Sequence, residues 1–94
     1  RATRRSRPAL VVSGESLRAL HGLVWIVMIT SAANRGWPDD VAIKDLAMAG
    51  LPVPSVIRTA KIATIDGAAA TRIGAVSKAV LAQVIKRVEN WLAP

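Results

Sequence analysis

Cysteine, phenylalanine and tyrosine are all missing from this chain, and histidine occurs once. Without thiols there is no disulfide framework, no thiolate zinc site and no Cys nucleophile, a usage compatible with a reducing cytoplasm. His21 alone cannot build a metal cluster of ordinary spacing. Lack of Phe and Tyr removes the usual rings on which a nucleic-acid binder stacks bases, unless one of the three Trp residues serves. Any core must therefore be assembled from Val, Ile, Leu and Ala. No apolar run approaches the roughly 20 residues that cross a bilayer, so no membrane segment is expected. Acidic residues are scarce: 6 against 13 basic ones give a net charge of +7, which points to a polyanionic partner, nucleic acid or an acidic protein. At 94 residues the chain makes one domain whose core is modest, and a partner subunit is expected to add burial.

What is present is organised around Leu23–Ser31, LVWIVMITS, the longest uninterrupted apolar run. A short run rich in Val and Ile fits a central strand covered on both faces, although a buried helix segment has the same pattern. Gly22 before it and Asn34, Gly36 and Pro38 after it favour a strand bounded by turns. Thr30 and Ser31 then lie where the strand emerges beside a loop, a common place for working side chains.

Upstream, Arg1–Arg7 reads as a basic arm, either simply solvated or contacting phosphate. Pro8–Ser13 is a short β-rich run. Leu17–Leu20 suits one helical turn, capped by Ser13 or Ser16 and ended by Gly22. Ala32–Asp40 is a loop whose Trp37 is expected to tuck into the core edge rather than cap a partner groove. Val41–Ile43 resumes a strand, Lys44–Gly50 turns away from it, and the prolines of Leu51–Pro54 forbid a central strand. Ser55–Asp66 is long and β-prone, with Arg58 and Lys61 on alternate faces, so a bulge or an exposed end is expected. After a turn at Gly67–Ala70, Ser77 caps a helix to Leu92 with a stripe of Val80, Leu81, Val84, Ile85, Val88, Trp91 and Leu92. The elements predict a mainly β domain with helices, a small antiparallel sheet or barrel with a C-terminal amphipathic helix packed on it.

Several segments resemble, in order, the MazF/PemK family of toxin endoribonucleases, which includes Kid. They are Arg7–Ser13 (RPALVVS), Ile29–Ser31, Gly36–Pro38, Gly50–Pro52 with Ser55–Arg58, Ile62–Asp66 and Ile73–Ser77. No single block is specific; the ordered set is, and it spans the chain from Arg7 almost to its end. The resemblance implies an SH3-like twisted barrel working as a homodimer, without a metal or other cofactor. It also implies cleavage of single-stranded RNA through attack by the 2′-hydroxyl, and silencing by an acidic antitoxin of the MazE/PemI kind. The family's first strand and acidic-proline loop are not seen before the RP block, where only Arg1–Ser6 stands, and the Pro8–Ser13 strand is therefore expected to have an unpaired edge. A carboxylate that relatives carry two residues after the arginine is replaced by Ala60.

By the same resemblance, Arg7, Arg58 and Thr30 would be catalytic and Ser31 would bind a phosphate or sugar oxygen; Arg4 and Arg5 of the basic arm, with Lys61, are expected to bind RNA through their charge. Arginine suits the phosphorus because its planar fork offers two parallel donors to phosphate oxygens. Glu15 and Asp66 are the acids nearest these segments in sequence, but spacing places neither at the phosphate, and no general base is assigned. Each of these residues also has a plainer reading: Arg7 solvated beside a proline, Arg58 an edge charge, Thr30 a strand-end hydroxyl. Two alternatives stay open on the same scaffold, a non-catalytic toxin resembling the CcdB topoisomerase poisons and an inactive remnant.

Overall fold

The computed structural model describes residues 6–34 and 36–92. Four strands, β1 (Ala9–Val11), β2 (Leu23–Ser31), β3 (Asp40–Ile43) and β4 (Ser55–Asp66), form one antiparallel sheet in the order β1-β2-β4-β3. Three helices, α1 (Glu15–His21), α2 (Leu46–Ala49) and α3 (Lys78–Leu92), complete it. The domain is thus mainly β, a curled half-barrel with a C-terminal helix across it.

The apolar run takes the predicted span to the residue, and β2 lies inside the sheet between β1 and β4. It is not covered along its whole length, however, because Trp25 stays 48% exposed. The curl comes from β4. Between Val27 and Met28 of β2 the partner jumps from Ile62 to Arg58, leaving Thr59, Ala60 and Lys61 as an irregular insertion. Such extra residues bend a strand and increase its twist. The first half of β4 therefore pairs with both β2 and β3, and the second half with β2 alone.

One face of the curled sheet carries the core: Val27, Val41, Ile43 and Ile57 pack with Ala49 and with Val84 of α3. Val27, Ile57 and Val84 are fully buried, each contributing about 1.5–3 kcal/mol of apolar burial. Ser77 begins α3 as expected, its Oγ accepting from the Val80 amide. Of the predicted stripe, Val80, Val84 and Val88 face the core, while Trp91 is half exposed and Leu92 largely so.

Other expectations need correction. Neither Ser13 nor Ser16 caps α1; Gly14 stands at that position without a side-chain bond, and Ser13 Oγ accepts from the Trp25 amide instead. Gly22, at φ 66°, closes the helix. The Lys44–Gly50 turn contains α2, whose first turn is capped by Asp45, the Oδ1 accepting from the Met48 amide. Gly50 ends α2 at φ 69° against the Ile73–Gly74 backbone, so close that a Cβ there would lie 2.1 Å from the Ile73 carbonyl oxygen.

Candidate functional site

Strand register builds the site. Ala9, Met28, Arg58 and Asp40 are successive cross-strand partners, one row running over all four strands. Directly opposed residues in an antiparallel pair share a face. Thr30, Val56 and Ala42 form the neighbouring row on that same face. The Ile29 amide donates to the Pro8 carbonyl, extending the β1–β2 ladder by one step. Arg7 immediately precedes this step, outside β1.

Arg58 is buried and held from several sides. It is 8% exposed, although it carries a charge. Its Nε donates to Asp40 Oδ1 at 3.3 Å and its Nη2 to Asp40 Oδ2 at 3.0 Å. Nη2 also donates to the Asn34 carbonyl at 2.6 Å. Trp37 lies over the guanidinium, its ring centroid 4.3 Å from Cζ. A buried charge is tolerated only when paired and hydrogen-bonded, and here both conditions hold. The fork expected to grip phosphate is therefore committed to Asp40, and the guanidinium turns toward β3. Among the described residues Nη1 donates no hydrogen bond.

Asn34 links this arginine to the strand end. Its carbonyl holds Arg58, and its Nδ2 donates to Thr30 Oγ1 at 3.1 Å. Ser31 Oγ accepts from the Ala33 amide, a local turn contact. Ser31 also lines an open cleft of about 410 Å³ with Ala32, Ala33, Val53 and Pro54. Arg7 is exposed and makes no hydrogen bond among the described residues. Lys61 is exposed in the irregular part of β4, with no ion pair among the described residues. Arg4 and Arg5 lie outside the described residues. The structure thus gathers Arg58 and Thr30 and leaves Arg7 and Lys61 exposed, with no hydrogen bond to the cluster among the described residues.

Three members of the cluster were not foreseen: Asp40, Asn34 and Trp37. Trp37 does not tuck into the core edge; it is 47% exposed and stacks on Arg58. Asp40, not Glu15 or Asp66, is the carboxylate at Arg58. A signal existed for it, since an arginine in a strand this apolar demands a buried acid. The α3 helix reaches the same corner. Arg87 Nη1 lies 3.7 Å from Asp39 Oδ1 and donates to the Asp40 carbonyl at 3.4 Å. Trp91 Nε1 donates to Thr59 Oγ1, which in turn donates to the Asp39 carbonyl. Asp39 itself adopts φ 64°, a left-handed conformation that these contacts hold in place. Among the described residues no three His, Asp or Glu side chains gather where a metal ion could be held.

The arrangement is that of a small antiparallel half-barrel domain with a C-terminal helix across it and an arginine-centred polar cluster where the central strand surfaces. The chain belongs to the family of PemK-like, MazF-like toxins of type II toxin–antitoxin systems, whose profile matches residues 1–92. Among solved structures it is similar to MazF in a MazE–MazF complex from Deinococcus radiodurans (Form-II), with 27% identity over 93% of this chain and 81% of that one, and a TM-score of 0.77. MazF from Deinococcus radiodurans (Form-I) shares 28% identity over 92% of this chain and 76% of that one, at a TM-score of 0.74. The Mycobacterium tuberculosis toxin MazF-mt6 shares 25% identity over 92% and 85%, at 0.75. Among curated proteins no sequence matches the chain.

Proposed function

We propose that this toxin is an endoribonuclease that cuts single-stranded RNA with the substrate's own 2′-hydroxyl. The observation that carries the reading is the buried Arg58, joined through Asn34 to Thr30 at the end of the central strand. In this reaction the 2′-oxygen bonds to phosphorus as the bond to the 5′-oxygen breaks, leaving a 2′,3′-cyclic phosphate and a 5′-hydroxyl. The proton of the 2′-hydroxyl goes to a base, and the leaving oxygen gains one. Charge builds on the phosphoryl oxygens, where a fixed cationic donor is most effective. Arg58 Nη1 supplies it from one side and Arg7 from the other, while Thr30 Oγ1 orients a phosphate or sugar oxygen. Ser31 and its cleft would take the adjoining nucleotide, with Arg4, Arg5 and Lys61 adding attraction along the strand. Asp40 is not the base, because both of its oxygens hold Arg58.

The partners follow from the same reading. The family and the MazE–MazF complexes among the similar structures support an acidic, MazE-like antitoxin that occludes the basic face. A homodimer in the cytoplasm completes the reading. To test the activity, purified protein is incubated with a varied pool of single-stranded RNA in EDTA. Discrete fragments from wild type, and at least a tenfold loss in Arg58→Lys, are expected; intact RNA from folded, antitoxin-free protein would refute it.

A further inference from the structure

We infer that Asp40 is a positioning residue for this reaction, holding Arg58 in a posture in which Nη1 alone meets the scissile phosphate. The inference rests on the nuclease reading and adds to it the residue that sets the geometry. An arginine on a surface strand samples many rotamers, and only some of them would place a donor at phosphorus. Here the choice has been removed. The Asp40 carboxylate takes the Nε–Nη2 edge with both oxygens, the Asn34 carbonyl takes the second Nη2 hydrogen, and Trp37 covers one face. What remains among the described residues is one nitrogen, Nη1, fixed before the substrate arrives. Donors held ready in this way act without reorganising during the reaction, which is where most of their effect lies.

Asp40 is itself held. It begins β3 beside Asp39, whose carbonyl receives Thr59 Oγ1, and its own carbonyl receives Arg87 of α3. The carboxylate is therefore supported by the backbone behind it as well as by its partner. The arrangement assigns different work to the two charges: Arg58 touches the substrate, and Asp40 acts only through Arg58.

The test combines kinetics with a spectroscopic probe on the full chain. Asp40→Asn keeps the shape but removes the charge, and Asp40→Glu keeps the charge but moves the carboxylate by one methylene. On an RNA oligonucleotide containing a mapped cleavage site, each is expected to lower kcat about 10- to 100-fold, the loss typical of a displaced catalytic group. KM should change less than about threefold, because ground-state binding is untouched. In an Arg58→Lys background, Asp40→Asn should cost less than about threefold more, since the group it acts through is already altered. Wild-type kcat in a folded Asp40 variant, or losses that simply multiply in the double variant, would overturn the inference. The probe needs no variant: the Arg58 Nε–H proton of the wild type should exchange slowly with solvent in NMR spectra. Rapid exchange overturns the clamp even if every Asp40 variant fails to fold. A protected Nε–H in a protein that cuts no RNA would refute the nuclease reading while leaving the clamp. Active protein indifferent to Asp40 would do the reverse.

Discussion

Replacing Arg58 by Met removes the charge but keeps an unbranched, apolar side chain in the same space. The structure gives the expected penalty. The substitution deletes two charge-assisted bonds to Asp40 and one to the Asn34 carbonyl, and it strips the cation from beneath Trp37. Worse, it leaves an Asp40 carboxylate whose side chain is only 9% exposed without its partner. Breaking a buried pair from one side costs about 3–5 kcal/mol. A domain of this length has about 5–14 kcal/mol in total, so the loss is a large fraction of it. Since about 1 kcal/mol moves Tm by 4–8 °C at this size, Tm should fall by at least about 12 °C. Arg58→Lys, which keeps a cation opposite Asp40, should lose no more than about half as much. The double variant Arg58→Met/Asp40→Leu should recover most of the deficit, because a neutral pair needs no compensation. Urea unfolding followed by circular dichroism, with unchanged m-values, measures all three. The reasoning is refuted if Arg58→Met costs less than about 1 kcal/mol, or if the double variant is no more stable than the single one. One consequence is practical: an inactive Arg58→Ala protein says nothing about catalysis until its folding has been verified.

Ile57→Ala opens a void in the fully buried centre of the sheet and should cost about 2–5 kcal/mol, read by the same denaturation. Gly50→Ala combines a left-handed backbone with a Cβ that would meet the Ile73 carbonyl at 2.1 Å, so it should destabilise more than the roughly 1 kcal/mol of an ordinary loop substitution. RNA binding should weaken steeply between low and moderate salt, and Arg7→Ala should flatten that slope by about one unit in a log–log plot of affinity against salt.

Much of the scaffold was legible before any coordinates. Leu23–Ser31, Ser55–Asp66 with its bulge, and the Ser77-capped helix are local patterns, set by runs, breakers and periodicity that sequence displays directly. The short pieces were less so. The α2 turn depends on the Asp45 cap, and α1 starts at a glycine with no side-chain cap although serines flank it. The site divided in the same way. Arg58 and Thr30 were singled out through the family's segments, and strand register puts those two on one face; their work on RNA belongs to the proposal. Asp40 and Asn34 were not, since their relation to Arg58 is made by pairing between strands 18 residues apart and by the fold of the loop. Trp37 misled because an indole among breakers reads as core, whereas a buried cation offers its face an alternative partner.

The central claim is that RNA lies across the Arg58 face and is cut by its own 2′-hydroxyl. Mapping one cleavage site and replacing that nucleotide by its 2′-deoxy counterpart tests this most directly. The account predicts that cutting at that position stops while the modified strand still binds and competes with the unmodified one. Continued cutting at the deoxy position would contradict it.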